Sequence, residues 1–165
     1  MDWLLDQAPG FARLTNEERS AITDFALLWS LFEARILDNA ASAAKIYAAA
    51  EAWRKADQLD ADLFEPELAN FRKRYFAGGE FTHHFNGLFL RPNDREPLVR
   101  AVLDGSDGEP VHRVACVFII IMRYRNNLFH GMKWQYQLAG QHENFVTATR
   151  ALIKALDRHG DLGHG

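Results

Sequence analysis

Cysteine is nearly missing from this chain. Its one thiol, Cys116, has no second cysteine to join, so no intrachain disulfide is available and a reducing compartment fits. Long apolar runs are missing as well. The most apolar stretch, VACVFIIIM at Val114–Met122, is far too short to span a membrane. The opening residues MDWLLDQAPGF carry no Lys or Arg ahead of their short apolar stretch, so they do not read as a secretory signal. An excess of positive charge is absent: 19 Lys and Arg face 22 Asp and Glu, a formal net charge of -3. That excludes a general, charge-driven nucleic-acid coat while leaving room for a local basic site. No glycine-rich phosphate loop, serine-nucleophile motif or zinc pattern occurs, and no cofactor is expected. Internal repeats, low-complexity tracts and strand-like alternation are also lacking. These absences predict a cytoplasmic, soluble, all-α protein with no membrane partner.

What is present is helical patterning. Thr15 with Glu18 three residues on has the form of a capping box. Ile22, Phe25, Leu28, Trp29, Phe32 and Ile36 then recur at helical spacing. Asp38-Asn39 interrupts the pattern, and alanine-rich sequence carries it on through Ile46, Tyr47, Ala50 and Trp53. Glu65-Pro66 suits a helix start, with Gly78-Gly79 as its stop. Asn93 and Glu96 suggest another capped helix, ending at Gly105. A helix from near Pro110 to about His130 holds the apolar run, and Gly131 falls where a left-handed cap would sit. A last amphipathic helix spans 141–159, and the tail from 160 to 165 is expected to fray. The expectation is one domain over 1–165. It is an antiparallel bundle of four to five main helices, with a small irregular insertion at 60–108.

Chemistry concentrates in RYRNNLFHG, Arg123–Gly131, directly after the apolar run. Arg125 and His130 are five apart, about 140° around a helix, so they do not share a face. Asn126 and His130 are four apart and do, as are Arg123 and Asn127. Either Arg125 reaches around the helix, or Arg125 and His130 converge across a two-fold axis. A bland alternative exists: Arg and His at a helix C-terminus complement its dipole, and Gly caps it. The trio of Arg, Asn and His nevertheless suits a phosphodiester. Arginine offers a planar fork to phosphate oxygens, and histidine exchanges protons near neutral pH. In RNA the 2′-hydroxyl is an internal nucleophile, so such a site can cleave without a metal.

RNNLFHG resembles the R-N-x-x-x-H motif of the HEPN superfamily, the higher-eukaryote and prokaryote nucleotide-binding domains, through Arg125, Asn126 and His130. The setting is similar too: the motif ends a hydrophobic helix in an all-α chain, with a further helix after it. The resemblance implies a homodimer with two motifs facing each other in an interface cleft. It implies a metal-independent endoribonuclease, a toxin or defence component with a cognate antitoxin protein as a partner. Arg125 would hold the scissile phosphate, His130 would act as base or acid, and Asn126 would position them. The alternative within the same superfamily is a non-catalytic module binding a nucleotide or a partner protein.

Around this trio, Arg123 and Asn127 are expected to support the site, and Glu33 to approach Arg125 or His130 from an early helix. Arg72, Arg74 and Lys133 would bind substrate, within a wider basic set including Lys73, Arg91, Arg95, Arg100 and Arg113. Aromatics at 75–89 would stack on bases, although building a core is their commoner use. The pair His83-His84 lacks the Cys or carboxylate that would complete a metal site.

Overall fold

A computed structural model describes residues 2–129 and 141–163. Two short helices, α1 (Asp2–Gln7) and α2 (Pro9–Ala12), lead into the long α3 (Asn16–Ile36). The capping box forms as its sequence requires. Glu18 N donates to Thr15 Oγ1 at 3.1 Å and Thr15 N donates to Glu18 Oε2 at 2.9 Å. Asp38 and Asn39 take positive φ, 51° and 59°, which ends α3 and turns the chain into α4 (Ala43–Lys55). A 3-10 turn at Ala61–Phe64 precedes α5 (Glu65–Tyr75), which has Pro66 in its first turn.

After α5 comes a hairpin too short to show any alternation in sequence: β1 (Phe76–Ala77) pairs with β2 (Glu80–Phe81), Phe76 opposite Phe81. Gly78 and Gly79, read from sequence as a helix stop, are instead the two central turn residues. Their φ values of 63° and 78° are what a two-residue hairpin needs. The one-turn α6 (His83–Asn86) follows, then α7 (Glu96–Leu103). The expected Asn93–Glu96 cap is not made. Arg95 is the N-cap in a left-handed conformation with no side-chain cap bond, and Asp94 binds the Arg91 amide instead.

The central element is α8 (Pro110–Phe129). Every residue from Val114 to Tyr124 is buried, so the helix is enclosed on all sides, as its unbroken apolar run demands. Each fully buried Ile, Val or Phe there contributes about 1.5–3 kcal/mol. Cys116 lies in this stretch, fully buried, with Sγ 3.9 Å from the Val99 carbonyl. Burial pushes its thiol far above the usual range.

Ring contacts fix how the long helices run. Phe32 of α3 stacks on Phe118 at 5.0 Å, and Phe25 meets Phe145 of α9 (His142–His159) at 5.2 Å. Phe145 also meets Tyr124 at 6.4 Å, while Lys154 near the far end of α9 donates to Leu63 O, beside the Phe64–Phe118 pair. So α8 runs antiparallel to both α3 and α9. The molecule is all-α apart from the hairpin, with α3, α4, α5, α8 and α9 as its main helices among the described residues. The segment 60–108 carries the irregular parts together with α5 and α7, whose Leu68, Phe71, Val99 and Val102 enter the common core. Among the described residues no helix is long and apolar enough to cross a membrane.

Candidate active site at the end of the buried helix

The last two turns of α8 divide their polar residues between two sides. Arg123 is only 2% exposed, and its guanidinium is fully engaged. Nε donates to the Leu88 carbonyl at 3.1 Å, one terminal nitrogen donates to Asn127 Oδ1 at 3.2 Å, and the other pairs with Asp94 at 3.4 Å. Asn127, four residues on, donates from Nδ2 to Leu88 O at 3.1 Å and to Gly87 O at 3.4 Å. The two side chains bind the irregular loop 87–94 to the helix. They leave carbonyls of a non-helical segment satisfied inside the protein, where an unmet acceptor would cost about 1–3 kcal/mol. Burial lowers the Arg123 pKa and Asp94 opposes that shift. Asp94 is a residue the sequence reading missed; nothing in local spacing links it to Arg123, and only the fold brings them together.

Arg125 lies on another side. It follows Phe118 by seven residues, two turns along one stripe of the helix, and Phe118 faces α3. Its guanidinium donates to Asn126 Oδ1 at 3.2 Å and sits 5.0 Å from the centre of the Phe129 ring. No carboxylate pairs with Arg125 among the described residues. Among the described residues, the half-buried cation has donors left over for an anion. Phe129 beside it is 57% exposed. His130 and Lys133, with the cap expected at Gly131, lie outside the described residues.

Glu33 has its carboxylate on another partner: Trp29 Nε1 donates to Glu33 Oε2 at 2.8 Å. It stands beside Phe32, hence at the level of Phe118, roughly 10 Å along the axis from Arg125 by helical rise. No hydrogen bond or ion pair joins Glu33 to Arg125. The early-helix residues at the motif's end of the bundle are those near Phe25. There α3 and α9 line an open groove of about 440 Å³ that includes Glu17, Asp24, His142 and Arg150.

The basic set is divided by the fold. Arg72 donates to Val102 O at 3.2 Å and to Glu65 at 2.8 Å, and Arg113 pairs with Asp62 and Glu65. Arg100 lies over both the Phe81 and Phe85 rings, 4.7 Å from each. Arg74 differs. Its Nε is buried with no hydrogen-bond partner, and it lines a second groove together with Lys73, His83 and His84. The aromatics Tyr75, Phe81 and Phe85 pack against one another. The His83 and His84 rings lie 4.0 Å apart, and no group of three His, Cys, Asp or Glu among the described residues is placed to hold a metal ion.

Compared with known proteins, the chain matches no family model, no curated protein and no solved structure.

Proposed function

We propose that the protein is a metal-independent endoribonuclease acting as a homodimer, with Arg125, Asn126 and His130 at the reacting phosphate. The observation that carries this reading is the separation of roles on α8. Arg123 and Asn127 are consumed by the 87–94 loop, whereas Arg125 stands half-buried with no carboxylate on it among the described residues. A cation that only served the helix dipole would have no need of a neighbouring amide to hold its fork. Asn126 supplies that hold, which supports a positioned guanidinium. In the proposed reaction His130 takes the proton of the 2′-hydroxyl. Its oxygen attacks the adjacent phosphorus, and Arg125 neutralises charge on the non-bridging oxygens. The P–O5′ bond breaks, the 5′-oxygen takes a proton, and a 2′,3′-cyclic phosphate remains.

The five-residue spacing of Arg125 and His130 favours two chains sharing one site, and exposed Phe129 and Leu27, the latter 68% exposed, offer apolar surface for that meeting. A toxin or defence role with a protein antitoxin goes with this reading. The test is incubation of purified protein with assorted RNAs in EDTA, with mass spectrometry of the ends. Cleavage leaving cyclic phosphates, reduced about 10²-fold or more in Arg125→Ala and His130→Ala, is expected. Intact RNA, or cleavage indifferent to both substitutions, removes the proposal and favours a non-catalytic module binding a nucleotide or partner protein.

A further inference from the structure

Between the C-terminal half of α5, α6 and the first turns of α9 lies a groove of about 600 Å³, the size of a small-ligand site. Its walls are pinned. Thr82 Oγ1 donates to the Arg74 carbonyl at 2.7 Å, tying α6 to the end of α5, and Asn70 donates to Thr147 at 3.3 Å, tying α5 to α9. Buried Phe71 forms part of the lining, and its ring meets Tyr124, the residue before Arg125, at 5.9 Å. The groove thus lies beside the motif helix.

The charges in this groove are arranged unlike those elsewhere on the surface. Lys73 and Arg74 enter it together, and neither pairs with a carboxylate among the described residues. Arg74 has a buried Nε with no hydrogen-bond partner, and its guanidinium carbon lies 5.9 Å from the Tyr75 ring, so its charge is held at the groove wall by Tyr75 rather than by a carboxylate. His83 and His84 stand at the same groove, and burial, Arg74 and His83 lower the His84 pKa, so its ring is a neutral donor-acceptor at neutral pH. Across from the cations, Glu143 of α9 contributes a carboxylate, 3.6 Å from Arg150 at the surface. A plain anion would gain from the cations and lose to Glu143. A ligand that carries a phosphate at one end and hydroxyl or amino donors at the other satisfies both.

We infer that this groove binds a nucleotide unit, its phosphate on Lys73 and Arg74 and its ribose or base edge towards Glu143. In an RNA strand the unit would flank the phosphate held at Arg125. That form rests on the ribonuclease reading, whereas the groove assignment itself does not. The probes are a short fluorescent 2′-O-methyl oligonucleotide, which cannot be cleaved through its 2′-oxygen, and free AMP. Binding is followed by anisotropy for the oligonucleotide and calorimetry for AMP, on the whole chain.

Lys73→Ala/Arg74→Ala is expected to weaken oligonucleotide binding about ten-fold or more and to lower the salt slope by about 0.7 per cation removed. Exposed Lys73→Glu alone, checked by circular dichroism, is expected to weaken it in the same direction without disturbing the fold. Binding of AMP but not the oligonucleotide, lost in the same variants, supports the groove and makes a free nucleotide its occupant. No binding of either probe, or binding unchanged in both variants, overturns the inference. If cleavage in EDTA depends on Arg125 while the groove variants bind and cleave as wild type, only the groove assignment fails.

Discussion

Replacing Arg123 with Met keeps most of the side chain's bulk and removes its charge and its donors. The wild-type guanidinium serves Asp94, Leu88 O and Asn127 Oδ1 at once, from a position almost closed to water. Asp94, itself buried, would then keep only the Arg91 amide, and two neutral acceptors would lose donors. Removing one member of such a pair typically costs about 3–5 kcal/mol, because the remaining charge stays buried. For a domain of this size each kcal/mol moves Tm by about 2–4 °C, so a fall of roughly 6–20 °C is expected. Thermal and urea unfolding measure it. Adding Asp94→Ala should recover part of the loss, since the orphaned carboxylate goes too. RNA cleavage per folded molecule, measured below the variant's transition, should fall far less than in Arg125→Ala. A variant within about 2 °C of wild type that has nevertheless lost cleavage would refute this division of labour and make Arg123 a substrate contact.

Two other buried arrangements yield measurable consequences. The Tyr75 and Tyr124 hydroxyls hydrogen-bond each other in the core, and burial raises both pKa values, Tyr75 to about 12. Tyr124→Phe should cost about 1 kcal/mol by leaving the buried Tyr75 hydroxyl with Arg74 alone, and adding Tyr75→Phe should cost little more or restore stability in urea titrations. The His159 ring stacks on Trp53 at 3.7 Å with Nε2 buried and unpartnered, and burial, then Arg158, depress its pKa to about 4. The unfolded chain therefore binds this proton first as pH falls. The contribution is complete above about pH 6.5 and is lost as pH drops towards 4, about 1 kcal/mol after allowance for solvent screening at this half-exposed ring. His159→Gln should flatten that part of the stability–pH curve; an unchanged slope would show that His159 is not its source.

Much of the fold was legible because local chemistry and packing agree. Thr15 and Glu18 sit where α3 begins, Pro66 where α5 begins, and the run from Val114 where a helix must be enclosed on all sides. Gly78-Gly79 misled because glycine with positive φ serves helix ends and hairpins equally, and two-residue strands have no period. Asn93 and Glu96 had the right spacing for a cap, but loop 87–94 is shaped by Asp94 meeting Arg123, a long-range pair that outweighs a local preference. At the candidate site, the four-residue spacing of Arg123 and Asn127 was readable, while their use as ties to the loop was not. Glu33 was expected to approach Arg125 or His130; its partner is instead Trp29, one turn back on its own helix. Arg72 and Arg74 looked alike in sequence, and only the fold gives one a carboxylate and leaves the other an unpartnered nitrogen.

Cys116 turns the enclosure of α8 into a reporter. As the chain's single thiol, sealed at the middle of its most deeply buried helix, it can meet a maleimide only when that helix leaves its neighbours. The labelling rate of the unmodified protein therefore measures how often the whole bundle opens, residue by residue silent elsewhere. Ligands that grip the folded molecule would slow that clock in proportion to their occupancy, giving a readout of binding that needs neither a dye nor a known reaction.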